Sequence, residues 1–178
     1  MAAGGRTMTE KWIYEPSADG ASRFVLGVVG TNPLICFGIN PSTARPGALD
    51  PTVTRVRNFA AAHGYDGWTM LNVYPQISTK PAGMHRQHDP QLKVANERHI
   101  ATAIQGHTTL LAAWGTNMTR RAYLSELLRD ILKLTDASGT QWLSLGKPLQ
   151  DGHPPHPSRL ANATPLVPFD MASYPWAH

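Results

Sequence analysis

The chain has 178 residues, of which 42% are hydrophobic, and these values predict one domain with a substantial core. A single cysteine, Cys36, excludes an intramolecular disulfide framework and any four-cysteine metal or iron–sulfur site. The net charge of +4 fits a partner that carries phosphates, and it fits an ordinary solvated surface equally well.

The sequence predicts a cytoplasmic protein without a membrane-spanning segment. Its longest apolar runs have the length of strands, and Met1 to Arg6 lacks the apolar core of a secretion signal. We expect a monomer that consists of a single domain over residues 1–178, with its core at about residues 23–160.

Apolar runs that alternate with helical periodicities predict an α/β fold. The predicted strands cover residues 23–29, 34–37, 68–74, 108–114 and 141–145. The predicted helices cover about 50–63, 90–105 and 117–134, with a polar loop at 75–89 and a Pro-rich tail from residue 146. The alternation predicts three layers, αβα, in which helices cover both faces of a central, mostly parallel sheet.

Polar residues follow several of the predicted strands. In sheets of this kind, ligands bind just beyond the carboxyl ends of the strands. The residues at these positions are 38–43 after the second strand, Asn72 in the third, 115–117 after the fourth, and 153–160 after the last. The sequence therefore predicts a site at one edge of the sheet.

Three short motifs resemble those of the uracil-DNA glycosylase superfamily. GINPS at 38–42 resembles its first catalytic motif, which reads GINPG in the mismatch-specific branch. LLAAWG at 110–115 resembles its buried strand ending in Trp-Gly, and HPSRL at 156–160 resembles its second catalytic motif, HPSPL. The chain is also similar to a group of small, poorly characterised bacterial proteins with a G-x-NPSTA motif. The order and rough spacing of the motifs agree over about residues 24–160.

The resemblance implies a uracil-DNA glycosylase-like fold and a monofunctional DNA glycosylase without a cofactor or metal. Such an enzyme flips a modified, damaged or mismatched pyrimidine out of DNA, and the expected partner is double-stranded DNA with an extruded base. It then hydrolyses the N-glycosidic bond and leaves an abasic site. Asn40 would hold the attacking water through its amide oxygen, although an amide cannot act as a strong base. His156 would donate a hydrogen bond to the leaving base, and Asn72 would read the Watson–Crick edge of that base.

The resemblance also implies which residues contact the substrate and the DNA. Gly38, Ile39 and Ser42 would line the base pocket. A tyrosine that excludes thymine from the classical uracil enzymes corresponds here to Ser42, so the pocket is expected to admit pyrimidines with large 5-substituents. Defence against phage with modified DNA is one context for such an activity, and repair of uracil or mismatched thymine is the conservative alternative. The residues expected to contact DNA, through a phosphate or as a wedge in the base stack, are Ser158, Arg159 and Leu160.

Structural roles compete with these assignments. Asn40 also suits an Asx turn before proline, Asn72 also suits a strand-end cap, and Leu160 also suits the core. A metal at the histidines is disfavoured, since the sequence has neither an HxxxH helix with supporting carboxylates nor a CxxC pair. Cys36 lies within a buried strand and is a poor nucleophile. The alternative functions are an enzyme of the same fold that acts on nucleotides or modifies pyrimidines in DNA, and a non-catalytic DNA-binding module.

Overall fold

The structure, a computed structural model, describes residues 9–176, and within them it contains three α-helices and one seven-stranded sheet. The strands are β1 (Trp12–Pro16), β2 (Arg23–Val28), β3 (Pro33–Gly38), β4 (Gly67–Asn72), β5 (Thr109–Ala112), β6 (Gln141–Leu145) and β7 (Leu166–Pro168). The helices are α1 (Pro51–Ala62), α2 (Pro90–Ala103) and α3 (Tyr123–Ala137). Short 3-10 helices cover Pro81–Gly83, Gly115–Arg120, Pro157–Arg159 and Met171–Ser173. The expectation about residues 1–6 lies outside the described residues.

The sheet is mixed, in the order β1-β2-β4-β3-β5-β6-β7. The pairs β3–β4, β3–β5 and β5–β6 are parallel, whereas β1–β2, β2–β4 and β6–β7 are antiparallel. The α/β class is thus confirmed, but the expectation of a mostly parallel sheet is wrong, because it holds only for the four central strands.

The two edge strands account for most of this difference. β1 is at most half-buried and ends in a proline, and β7 has three residues, the last of them also a proline. Neither segment has the long apolar run by which buried strands are recognised, and proline is typical of sheet edges. Both strands therefore escape prediction from the local sequence.

Alternate residues of the central strand β3 point to two separate hydrophobic clusters. Leu34 and Cys36 belong to the cluster that contains the buried side chains of α1. Ile35 and Phe37 belong to the cluster that contains buried residues of α2 and α3. The side chains on opposite faces of β3 therefore pack into different clusters. None of the helices within residues 9–176 has the length and apolar character needed to cross a membrane.

Two helices begin after an aspartate that is followed by proline. The Asp50 side chain accepts a hydrogen bond from the Val53 backbone N–H at 2.9 Å and caps α1. Asp89 caps α2 by accepting from the Gln91 N–H at 2.8 Å. In contrast, α3 begins at Tyr123 rather than near residue 117, because the preceding segment forms the 3-10 helix Gly115–Arg120.

Candidate functional site

A cavity of about 170 Å³ lies where β3 and β4 end at Gly38 and Asn72. Its walls come from these strands, the turn after β3, the start of α1, the 75–89 loop and the segments that follow β5 and β6. Six of the nine predicted site residues line it: Gly38, Ile39, Asn40, Ser42, Asn72 and His156. The structure thus brings together residues that are up to 118 positions apart in the chain (38 to 156).

Asn72 is the most unusual residue of the cavity. It is 1% exposed, and neither its amide nitrogen nor its amide oxygen has a hydrogen-bond partner within the described residues. Leaving buried polar atoms unpaired costs roughly 1–3 kcal/mol for each group. An unpaired donor and an unpaired acceptor on one buried side chain are the elements that a polar ligand would satisfy.

The neighbouring Asn96 shows that Asn72 is not needed as a strand-end cap. The Asn96 amide nitrogen donates to the Asn72 carbonyl at 2.9 Å and to the Val73 carbonyl at 3.3 Å. Asn96 is itself buried on α2, so it ties this helix to the end of β4. The cap at this strand end therefore comes from Asn96, and the Asn72 side chain is left for the cavity.

Asn40 is held in one orientation by the loop that faces it. Its amide nitrogen donates to the carbonyls of Pro41 at 3.0 Å, Gln76 at 3.4 Å and Ser78 at 2.9 Å. Carbonyl oxygens only accept, so the nitrogen must face them and the amide oxygen must face away. Among the described residues nothing donates to that oxygen, which makes it an available acceptor in the wall of the cavity.

His156 lines the cavity, and its hydrogen bonds fix which ring nitrogen carries the hydrogen. Its Nδ1 atom accepts from the Ser158 backbone N–H at 3.2 Å and lies 2.9 Å from the Ser158 hydroxyl oxygen. A backbone N–H can only donate, so in the neutral ring the hydrogen is on Nε2. Burial lowers the pKa of His156, with the Asp50 charge acting in the opposite direction, and this keeps the ring neutral at physiological pH.

Gly115 allows His156 to approach the end of β5. A Cβ atom at Gly115 would lie 3.0 Å from the His156 Cβ, and the Gly115 backbone has a φ of +60°, in the left-handed region that favours glycine. The glycine that ends the LLAAWG motif therefore has a specific role in placing the histidine. Trp114, which precedes it, is fully buried and donates to the Tyr174 hydroxyl at 3.1 Å, as a core residue would.

The three residues predicted to contact DNA do not line the cavity. Ser158 is exposed, and its hydroxyl bonds to the His156 ring. Arg159 is exposed beside it, and Leu160 is half-buried against the cluster that contains α1. The 3-10 helix Pro157–Arg159 thus follows directly on the cavity residue His156 and carries one exposed basic side chain.

Two charged residues of the cavity were missed from the sequence. Arg23 is 2% exposed, donates from Nη1 to the Ala44 carbonyl at 2.8 Å, and has no partner for its Nε–H. Burial lowers the pKa of Arg23 to about 10, opposed by the nearby Asp50 carboxylate, so the guanidinium keeps its charge. The sequence placed Asp50 only at the start of a predicted helix. An arginine at the start of an apolar strand is a signal that could have identified Arg23.

The 75–89 loop forms a fixed wall of the cavity through Ser78, Thr79 and Pro81. Arg121 holds this loop by donating to the Met84 carbonyl at 2.8 Å and to the His85 carbonyl at 2.9 Å. A chain of backbone bonds, including Ser78 N–H to the Pro41 carbonyl at 2.9 Å, joins the loop to the turn after β3. The space next to Ser42 is therefore bounded partly by this loop.

Two further histidines, His85 and His153, have hydrogen-bond partners of their own. His85 Nδ1 lies 2.7 Å from the Tyr74 hydroxyl, and His153 Nδ1 lies 2.8 Å from the Tyr174 hydroxyl. Residues 9–176 contain no group of three or more His, Cys, Asp or Glu side chains placed to share a metal ion. Cys36 is fully buried, and burial raises the pKa of its thiol, which makes it unreactive.

Comparison with known proteins assigns the chain to a family and corrects one prediction. Residues 23–158 match the model of a family described as "Protein of unknown function (DUF1643)", and the chain belongs to this family. No curated protein and no solved structure matches the chain. Membership of the uracil-DNA glycosylase superfamily, predicted from GINPS, LLAAWG and HPSRL, is wrong, because the family match is to a different family. Motifs of five or six residues are too short to define a superfamily.

Proposed function

We propose that the cavity binds a single nucleobase and that the protein hydrolyses the N-glycosidic bond of a modified, damaged or mismatched pyrimidine in DNA. The observation that carries the proposal is Asn72, whose buried amide has both its donor and its acceptor unpaired. The Watson–Crick edge of a pyrimidine offers an acceptor and a donor side by side, which an amide complements. A ligand of this kind would offset the cost of burying the amide.

The size of the cavity favours a base over a whole nucleotide. Pockets for drug-sized ligands measure about 300–1,000 Å³, whereas this cavity measures about 170 Å³. One ring would enter it while the sugar and phosphates stayed outside. This is the arrangement that results when a nucleotide is flipped out of a DNA duplex and only its base enters the enzyme.

The proposed reaction uses the Asn40 amide and the His156 ring, which hydrogen bonds hold in fixed orientations. The Asn40 amide oxygen accepts a hydrogen bond from the attacking water, which forms a bond to the anomeric carbon of the deoxyribose. The bond from that carbon to the base nitrogen breaks, and its electron pair stays on the base. His156 donates a hydrogen bond from Nε2 to the departing base and stabilises the developing negative charge. The products are a free base and an abasic strand.

The surface beside His156 is proposed to contact the DNA backbone. We propose a three-layer αβα scaffold, with α1 on one face and α2 and α3 on the other, that presents the cavity at one sheet edge. Ser158 and Arg159 lie two and three residues after His156 and would meet the phosphates beside the flipped nucleotide, with Leu160 next to the vacated position. The net charge of +4 supports a phosphate-bearing partner.

Ser42 bears on which base is accepted. Its side chain is short, half-buried and part of the cavity wall, and the exposed Thr43 follows it. A pocket without a bulky ring at this position would admit a pyrimidine with a substituent on carbon 5. Defence against phage with modified DNA is the context proposed for such a substrate, and repair of uracil or mismatched thymine is the alternative.

A second candidate is hydrolysis of a free nucleotide, and Arg23 favours it. Its guanidinium is buried in the cavity wall with one hydrogen bond, so it could take an anionic phosphate. The two candidates differ in their dependence on salt. Binding to duplex DNA should weaken steeply as the salt concentration rises, because it releases counterions from several phosphates. Binding of one free nucleotide should change much less.

The test of the proposed function is a panel of duplex oligonucleotides that each contain one modified, damaged or mismatched pyrimidine. Incubation with excess protein, followed by alkali, should break at least one of these strands at the altered base. Asn40→Ala should reduce the single-turnover rate at least 100-fold, as expected for a loss of several kcal/mol at about 1.4 kcal/mol per factor of ten, while duplex binding persists. Asn162→Ala, at an exposed asparagine, is the matched control and should leave the rate unchanged. Binding of duplex DNA without any break would instead indicate a non-catalytic DNA-binding module.

A further inference from the structure

The proposed reaction lacks a group that can accept a proton from the water. The Asn40 amide can orient the water but is not a base, and the His156 Nδ1 atom is occupied by Ser158. Among the described residues that line the cavity, one carries a carboxylate, and this residue is Asp50. We propose that Asp50 is the general base that deprotonates the attacking water, in addition to capping α1; this inference rests on the proposed function.

One oxygen of Asp50 is free for this role. Oδ1 accepts the hydrogen bond from the Val53 N–H at 2.9 Å, which fixes the side chain at the start of α1. Oδ2 accepts no hydrogen bond from the residues that the structure describes. The cap therefore holds the carboxylate in place and leaves its second oxygen for a water molecule in the cavity.

The charge of Asp50 acts across the cavity. It interacts electrostatically with the buried Arg23 guanidinium and with the His156 ring, raising the pKa of each against the effect of burial. Both of these side chains line the same cavity as Asn40. The Asp50 carboxylate therefore shares the cavity with the groups proposed to react, and a water bound there would connect it to them.

The step balances without a further reactant. As the water oxygen bonds to the anomeric carbon, one of its protons passes to Oδ2 of Asp50. The bond to the base breaks with its electron pair on the base, which takes up a proton from solvent after release. Asp50 then returns its proton to solvent, and the enzyme is ready for another cycle.

Asp50→Asn separates the two roles of this side chain. Asparagine caps a helix about as well as aspartate, so the variant should keep α1 capped and should bind duplex DNA like the wild type. Its thermal stability should fall, because the charge that opposes the burial of the Arg23 guanidinium is lost. It cannot accept the proton, so base release should fall by roughly 100-fold or more. Asp89→Asn, the same change at the cap of α2 outside the cavity, is the matched control and should release base at the wild-type rate.

Azide distinguishes the loss of the general base from the loss of a structural contact. Azide attacks carbon without being deprotonated, so its addition should restore base release by Asp50→Asn and produce a glycosyl azide instead of an abasic sugar. Two outcomes would overturn the role of Asp50 while leaving the proposed function intact. One is an active wild type with base release by Asp50→Asn within tenfold of it. The other is a slow Asp50→Asn variant that azide fails to rescue. Absence of base release by the wild type from every oligonucleotide would overturn the proposed function and this inference with it.

Discussion

Gly38 and Asn72 are paired in the parallel register of β3 and β4, and the missing side chain of Gly38 makes room for the Asn72 amide. A Cβ atom at Gly38 would lie 3.1 Å from the Asn72 amide oxygen and 2.7 Å from the Met70 methyl carbon. Both distances are shorter than ordinary van der Waals contact, so a side chain at position 38 would force the Asn72 amide and the Met70 methyl group to move. The glycine of GINPS and the buried asparagine thus form one feature of the cavity.

Gly38→Ala should disturb the cavity more than the fold. The Met70 methyl group is the end of a flexible side chain and can move, so the loss in unfolding free energy should be about 1–3 kcal/mol. The Asn72 amide must also shift, and base release should fall at least tenfold. Urea unfolding and single-turnover assays of the same preparation measure the two effects. Unchanged base release by a correctly folded variant would contradict this account of Gly38.

Asn72→Leu should cost no stability and should abolish activity. Leucine has a similar shape and removes two buried atoms that have no partner, so the unfolding free energy should stay the same or rise by about 1 kcal/mol. Asn96→Leu is the matched control at a buried asparagine. It leaves the Asn72 and Val73 carbonyls without their donor and should lower the unfolding free energy by about 1–3 kcal/mol. Equal destabilisation by both changes would show that Asn72 has a structural role.

Acidification should weaken the fold in two separate ranges of pH. Burial lowers the pKa of His153 and His156 below the ordinary value of 6.5. The unfolded chain therefore binds these protons more readily, and the stability from the neutral rings, complete above about pH 6.5, is lost as the pH falls through their lowered pKa values. Asp19, Asp66, Asp130 and Asp170 have pKa values below the ordinary 3.8, so their contribution is lost only at still lower pH.

His156→Asn tests the assignment of the upper range. The variant should lose less stability than the wild type between neutral pH and about pH 4, because one of the two histidines that resist protonation is gone. Below that range the two proteins should respond alike. Urea unfolding of both proteins at a series of pH values measures the difference. An identical slope for wild type and variant in the upper range would mean that His156 is not kept neutral by burial.

Ser42→Tyr should narrow the choice of base. A tyrosine would fill the space beside carbon 5 of a pyrimidine, so cleavage of a 5-substituted base should fall more than cleavage of uracil. The wild type should cleave a 5-substituted pyrimidine at least as well as uracil. Competition between the two oligonucleotides in one reaction gives the ratio directly. If uracil alone is cleaved, or if tyrosine leaves the ratio unchanged, the 75–89 loop rather than Ser42 bounds the pocket.

The central strands and much of the cavity follow from the sequence. β3 and β6 are short apolar runs bounded by turn residues, and the polar residues that follow them mark the strand ends where the cavity lies. Gly38 and Asn72 could be placed at one edge because parallel strands end on the same side. Their direct pairing could not be predicted, since register depends on contacts between distant segments.

Residues with a complete local explanation were the hardest to recognise. Asp50 precedes a proline at the start of a helix, and capping accounts for it without reference to the cavity. Arg23 opens β2, and its burial depends on the turn after β3, whose Ala44 carbonyl it binds. The antiparallel edge strands β1 and β7 are too short and too exposed to produce an apolar pattern. Only the folded structure shows that Asp50 and Arg23 both line the cavity.

The most direct test of the account is a count of free base and abasic strand after one turnover, for the wild type and for Asn72→Leu. Liquid chromatography with mass spectrometry measures both products from the oligonucleotide panel. We expect one free base for each abasic strand with the wild type, and neither product with a stably folded Asn72→Leu. Intact strands across the whole panel with the wild type, or equal release by the leucine variant, would contradict it.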